Sequence, residues 1–340
     1  MTDPAKWYLV AVVSVLLIGI AAGVGAVGWF QYQARGAGPA EVAIASSASW
    51  ATGARVVFRN TAAGDGYGQV ASVALGDPQG PRALVDRACD RVAASADEFV
   101  CLRTERGVVP GYDATLYTDD GVEVASWPLA GIPSRTRISP DGALVATTSF
   151  VTGHSYATVG FSTETVVHTT DGRDLGNLED YTLVVDGEVV APVDRNYWGV
   201  TFIDDTTFYA TAGLTTTGTT YLVRGDLESR TLTAVASGVE CPSLSPDGTR
   251  IAFKHLTSGS GPTAHWTPAV MDLASGDVQV LTPEARNVDD QIAWLDDDTI
   301  LYGLPRDGAV GDTDVWSLAA DGSDGPELFI PHAWSPSVVR

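Results

Sequence analysis

Ile138-Ser-Pro-Asp-Gly-Ala-Leu-Val-Ala-Thr-Thr148 and Leu244-Ser-Pro-Asp-Gly-Thr-Arg-Ile-Ala-Phe-Lys254 are two copies of one pattern. Each is an apolar residue, a turn, then an alternating strand. Pro140 and Pro246 preset φ near −65° at the first central position of the turn. Asp141 and Asp247 follow, and Gly142 and Gly248 fill the position that favours positive φ. The pattern predicts a hairpin built on a type I turn with a bulge.

Weaker copies open at Ser49, Ser95, Phe202 and Trp294, and a truncated one at Trp334. The seven starts fall at 49, 95, 139, 202, 245, 294 and 335. The long step after 139 predicts an insertion within residues 171–197. Downstream of several copies lies a second strand–turn–strand, as in residues 221–235, 269–282 and 314–329. A period of about 40–50 residues carrying four strands is the mark of propeller blades. Seven starts with a truncated last one predict an all-β, six-bladed β-propeller whose terminal segment closes the ring and removes the open edges. Residues 41–49 and 333–339 both qualify as the innermost strand of the first blade.

The Ser-Pro-Asp-Gly-x-x-Ile-Ala-Phe repeat resembles the TolB-type, WD-like propeller repeat. The stretches Asn196-Tyr-Trp-Gly-Val-Thr-Phe202, Val239-Glu-Cys-Pro-Ser-Leu-Ser-Pro-Asp-Gly, Asp289-Asp-Gln-Ile-Ala-Trp294 and Ser335-Pro-Ser-Val-Val-Arg340 resemble the actinobacterial TolB-like translocation protein family. That resemblance covers roughly residues 45–340 and implies a small membrane-anchored propeller of unestablished activity. Periplasmic TolB carries an amino-terminal α/β domain in addition, for which this chain has no room, so a Tol–Pal role is not implied.

Upstream of the repeats, residues 7–30 contain no charged side chain. As helix they extend about 36 Å, enough to cross about 30 Å of hydrocarbon. Trp7 and Tyr8 at one end, and Trp29, Phe30 and Tyr32 at the other, fit interfacial belts. The run is longer than a signal-peptide core. We therefore expect a six-residue cytoplasmic tail (1–6), a transmembrane signal-anchor (7–30), a linker (31–44) and the propeller (45–340) on the extracytoplasmic side of the cell membrane. Cleavage of the anchor is the rival expectation.

The chain has 42 acids against 20 bases, a net charge of −22. A nucleic-acid binder needs a basic footprint, so that partner class is not expected. Cys89, Cys101 and Cys241 include no Cys-x-x-Cys. In an oxidising exterior Cys89 and Cys101 could pair across a hairpin; two buried thiols are the alternative.

Catalytic signals are sparse. Gly153-His-Ser-Tyr-Ala157 departs from a nucleophile elbow at Ala157 and joins two expected strands. The five histidines show no metal-binding spacing, and acidic runs such as Asp296-Asp-Asp298 match no EF-hand loop. No catalytic residue, cofactor or metal is assigned, beyond a weak structural calcium. The a–b and c–d turns should make one acidic face. The b–c connections at 151–163, 211–220, 254–268 and 304–312 should carry the recognition loops, with His154, Tyr156, His255, His265, Trp266 and Arg306 as candidate partner contacts. Trp266 is the expected exposed anchor. These features favour a non-catalytic protein-interaction or assembly module of the cell envelope. The alternative is a canal enzyme of the metal-dependent hydrolase or lactonase type.

Overall fold

A computed structural model describes residues 4–45, 50, 53–107, 109–151 and 162–340. Six sheets, each with a four-stranded antiparallel blade, are arranged around one axis. Blade 1 is Ala333–Val339, Arg55–Asn60, Gln69–Ala74 and Ala83–Ala88, from the axis outward. Blade 2 is Arg91–Ala94, Glu98–Glu105, Gly111–Thr118 and Glu123–Pro128. Blade 3 is Ile132–Ile138, Leu144–Val151, Ser162–Thr169 and Asp174–Asn177. Blade 4 is Arg195–Phe202, Thr207–Leu214, Thr219–Asp226 and Thr231–Ser237. Blade 5 is Glu240–Leu244, Arg250–Ser258, His265–Asp272 and Val278–Val280. Blade 6 is Ala293–Trp294, Thr299–Pro305, Thr313–Ala319 and Glu327–Ile330. The six-bladed propeller read from the repeat is the observed fold.

Ring closure is settled in favour of the carboxyl-terminal segment. Ala333–Val339 pairs antiparallel with Arg55–Asn60, from Arg55 opposite Val339 to Asn60 opposite Ala333. Of residues 41–49, the described part instead lies outside blade 1, where Ile44 bridges Arg82. The insertion also falls where the long step placed it. The hairpin Thr182–Val185 and Glu188–Val190 adds to the outer edge of blade 4 through a parallel pairing with Thr231–Ser237.

The Ser-Pro-Asp-Gly turns are built alike. Ser139 Oγ donates to Asp141 and accepts from Leu144 N, and Ser245 Oγ does the same with Asp247 and Arg250 N. Gly142 and Gly248 take φ of 74° and 72°, as the turn requires. Apolar strand faces pack blade on blade. Val57, Phe99 and Trp50 meet between blades 1 and 2, and Phe202, Phe208 and Leu232 lie in the largest cluster.

Neighbouring inner strands splay about the axis, so side-chain hydroxyls join them. Ser335 and Ser337 bond both backbone groups of Val92 and Ala94, while Thr163 and Thr165, on the third strand of blade 3, donate to Tyr197 O on the inner strand of blade 4. Four inner strands carry bulges, near Ser134, Gly199, Cys241 and Ser335. At Gly199 the approach is closest: a Cβ there would sit 2.6 Å from Cys241 Cα.

Cys89 and Cys101 form a disulfide across the first hairpin of blade 2, with Cα atoms 5.4 Å apart. Cys241 is a buried free thiol. The helix α1, Pro4–Arg35, is long and apolar enough to cross a membrane.

Candidate functional site

Because every blade begins on the axis, the inner strands jointly line a canal. Its residues come from distant parts of the chain. Blade 2 supplies Arg91, blade 3 supplies Arg135 and Arg137, blade 5 supplies Glu240 and Lys254, and the connection into blade 6 supplies Asp289, Asp290 and Gln291. Arg135 and Arg137 share a face because strand residues two apart point the same way.

Asp290 Oδ1 holds Arg91 Nη1 at 2.6 Å, and both groups are buried. Arg91 also lies over the Trp334 ring, 4.7 Å from its centroid. Lys254 Nζ sits 2.5 Å from Asp289 Oδ1, 3.7 Å from Glu240 Oε2 and 4.3 Å from the Trp266 ring centroid. Burial pushes the Asp289 carboxyl up, but Lys254, with Arg135 and Arg91 behind it, outweighs that and holds it below its ordinary range. The Arg91–Asp290 pair is buried, and such pairs give back in attraction roughly what they lose in desolvation, whereas the Asp289 side chain is 55% exposed. Together these groups plug the canal with four cations and three carboxylates.

One side of the plug opens to the surface. A blind funnel of about 490 Å³ opens on the face of the a–b turns, between the turns at Ser95, Ser139, Ile203 and Ser245 and the terminal Val339. Its floor is Arg137. Arg137 Nη2 donates to Ile292 O at 2.7 Å and Ser243 Oγ at 3.2 Å. With the Gln291 amide turned so that its oxygen faces the guanidinium, Nε and Nη2 also donate to it at 2.8 and 2.9 Å. Among the described residues no carboxylate lies within ion-pair distance of Arg137, and its Nη1 has no hydrogen-bond partner. Burial lowers its pKa to about 10, still leaving it charged at neutral pH. The funnel floor is therefore a preorganised cation with an open donor.

The residues singled out from the sequence are dispersed. His154 and Tyr156, with the elbow-like Gly153–Ala157 stretch, lie outside the described residues. His255 is on the second strand of blade 5, edge-on to Phe253 with its Nδ1 buried and unpartnered. His265 opens the third strand of that blade. Arg306 is engaged by Asp314, with Nε 2.8 Å from a carboxylate oxygen.

Trp266 needs a correction. It is a strand residue opposite Leu256, half-buried, with its indole N–H buried and unpartnered. The 254–268 stretch is not one long loop, because alternating strand pairing continues through Ser258 and resumes at His265. The 211–220 connection is likewise only a turn between Leu214 and Thr219. Arg137 and Gln291 were missed. The available signal was the Arg-Thr-Arg spacing on one face of an inner strand.

In solved structures, the chain resembles TolB from Acinetobacter baumannii, with a TM-score of 0.56 and 16% identity over 84% of this chain and 67% of that one. It also resembles a TolB-type protein from Agrobacterium tumefaciens, at 0.50 and 13% over 82% and 88%. A puromycin-hydrolysing peptidase from Mycobacterium tuberculosis matches at 0.47 and 16%, over 87% of this chain and 46% of its own. No family profile matches the sequence, and no curated protein does. The likeness is one of fold: a TolB-like propeller.

Proposed function

We propose that this chain is a non-catalytic, membrane-anchored recognition module whose funnel receives a carboxylate-bearing segment of a protein partner in the cell envelope. The observation that carries the reading is Arg137: a half-buried guanidinium with an open donor and no carboxylate of its own, at the bottom of a recess large enough for a few side chains. Charge-assisted hydrogen bonds from guanidinium to carboxylate are among the stronger polar contacts. A rigid ring offers that donor with little ordering cost on binding.

The canal-enzyme reading draws on one feature, Asp290 Oδ2, which is buried without a hydrogen-bond partner. That side chain is 1% exposed and its other oxygen is held by Arg91, so it faces neither mouth.

The test places a photo-crosslinking residue at Ala96 on the funnel wall, or at exposed Val235 on the outer edge of blade 4, in the full chain in its native membranes. A discrete protein adduct from Ala96, absent from Val235 and reduced about tenfold by Arg137→Gln, is expected, tenfold being about 1.4 kcal/mol. An Ala96 adduct indifferent to Arg137→Gln in a folded variant would overturn the reading, as would no adduct from Ala96.

A further inference from the structure

The helix does not hang from a free tether. Gly64 N donates to Arg35 O at 2.6 Å, Asp65 N to Gly38 O at 2.9 Å and Glu41 N to Ala63 O at 3.0 Å. The last residue of α1 is thus hydrogen-bonded to the b–c loop of blade 1. Tyr67 of the same loop reaches Gly311 O in the b–c loop of blade 6 at 3.2 Å. This geometry lets only the b–c face approach the surface that α1 enters.

On that face a cleft of about 210 Å³ lies between Trp29 of α1 and blades 1 and 2. It is lined by Arg59, Arg103 and Arg106, with Thr104 and one carboxylate, Asp90. Three guanidiniums and one carboxylate line the cleft itself, in a chain whose net charge is −22, and two further carboxylates stand beside it. Arg103 pairs with Glu105 at 2.8 Å and Asp113 at 3.3 Å, and Arg106 with Asp90 at 3.4 Å; both side chains are over 40% exposed. Such surface pairs are weak and exchangeable. Arg59 differs. Among the described residues it has no carboxylate within ion-pair distance, its guanidinium lies 5.5 Å from the Tyr67 ring centroid, and its Nε is buried without a hydrogen-bond partner. Trp29 sits six residues before the end of α1, where an interfacial tryptophan lies among lipid headgroups.

We propose that this cleft seats the phosphate of an anionic lipid headgroup and holds the b–c face of the propeller flat on the bilayer. The inference rests on the reading of α1 as a membrane anchor. The flanking b–c loops carry Val109 and Val310, each 83% exposed, at the level where an apolar side chain meets the acyl boundary. The opposite face carries exposed Asp97, Asp141, Asp205, Asp247, Asp298 and Asp324, which the same lipids repel.

The experiment uses the full chain in nanodiscs of phosphatidylcholine, alone or with about one third phosphatidylglycerol. Single cysteines at Val109→Cys, Val310→Cys and, on the far face, Val122→Cys report access to an impermeant maleimide; Cys241 is buried and does not compete. With phosphatidylglycerol, labelling at 109 and 310 should slow about tenfold and labelling at 122 should not, a protection of about 1.4 kcal/mol. Arg59→Gln should abolish most of the slowing. Half-exposed Arg106→Gln, whose change the fold tolerates most easily, should weaken it too. Equal labelling at 109 and 122 while α1 resists carbonate extraction would overturn the docking and leave the anchor standing. Extraction by carbonate would remove the anchor reading and the docking together. Slowing reproduced in detergent by inorganic phosphate would make the cleft an ion site and overturn the lipid assignment.

Discussion

Two serines close the ring, and they should not be worth the same. Ser335 Oγ accepts from Val92 N at 3.2 Å and donates to Val92 O at 3.0 Å; Ser337 Oγ accepts from Ala94 N at 2.9 Å and donates to Ala94 O at 3.3 Å. These contacts are the polar seam between the carboxyl-terminal strand of blade 1 and the inner strand of blade 2. Ser335 lines a void of only about 10 Å³, at the lower limit for one water. In Ser335→Ala the Val92 amide, on a residue 2% exposed, loses its partner. An orphaned buried amide costs about 1–3 kcal/mol. Ser337 lines the 490 Å³ funnel, where water can take over its bonds. The cost of Ser337→Ala should therefore stay near or below about 1 kcal/mol. At about 2–4 °C per kcal/mol, Ser335→Ala should lower Tm by about 2–12 °C and Ser337→Ala by at most about 4 °C. The double variant need not add, because both serines act through one strand. Circular-dichroism melts and urea titrations read the difference, with Ser258→Ala, exposed at a strand end, as control. Equal losses, or the larger loss at Ser337, would refute the argument from solvent access. So would a Ser335→Ala variant that melts with the control.

The disulfide between Cys89 and Cys101 closes a loop of 12 residues' separation, and loop-closure entropy for a ring of that size is about 3 kcal/mol. Reduction, or Cys89→Ser, should lower Tm by about 6–12 °C in melts run with and without dithiothreitol. His168 is stacked on Trp127 at 4.6 Å, and burial lowers its pKa to about 4, against a weaker opposing pull from Asp174. Its folded pKa lies below the unfolded value, so its contribution is complete above pH 6.5 and is lost as the pH falls towards 4. Between pH 7 and 4.5 that loss is about 2.5 kcal/mol. Urea titrations at the two pH values should show His168→Phe losing correspondingly less than the wild-type chain, and parallel losses would exclude His168 as the source.

The blades were legible because two of them, blades 3 and 5, make the same turn with the same atoms and so expose the period that the weaker copies follow. Ser139 and Ser245 do identical work in blades 3 and 5, and the sequence keeps Ser, Pro, Asp and Gly in register to do it. The closing strand was half legible. A truncated repeat at Trp334 and a spare stretch at 41–49 competed, and only pairing with Arg55–Asn60 separates them. The canal was not legible, since Arg91, Arg137, Lys254 and Asp290 share no local pattern and meet only when the ring shuts. Trp266 was misplaced for a related reason. Its strand continues because Leu256 pairs opposite it, and its ring is covered by Lys254 from the neighbouring strand, neither of which a local reading reveals.

The net charge has a structural origin that bears on both proposals. Asp141, Asp226, Asp247, Asp272 and Asp321 each accept backbone N–H groups two or three residues ahead. Those hydrogen bonds, and the hydroxyl groups beside them, hold the carboxyls below their ordinary range, so they stay ionised throughout the neutral region. They are turn formers first. In an up-and-down blade every a–b and c–d turn lies on one face, so turn chemistry repeated six times concentrates negative charge there. The b–c loops escape that requirement, and it is on their face that Arg59, Arg103 and Arg106 gather beside the helix. A partner entering the funnel must therefore cross an acidic rim to reach Arg137, which favours a segment whose carboxylate tip is flanked by basic residues. Basic flanks would be drawn to the rim, and raising the ionic strength should weaken funnel crosslinking through Ala96 far more than it weakens the buried contact with Arg137 itself.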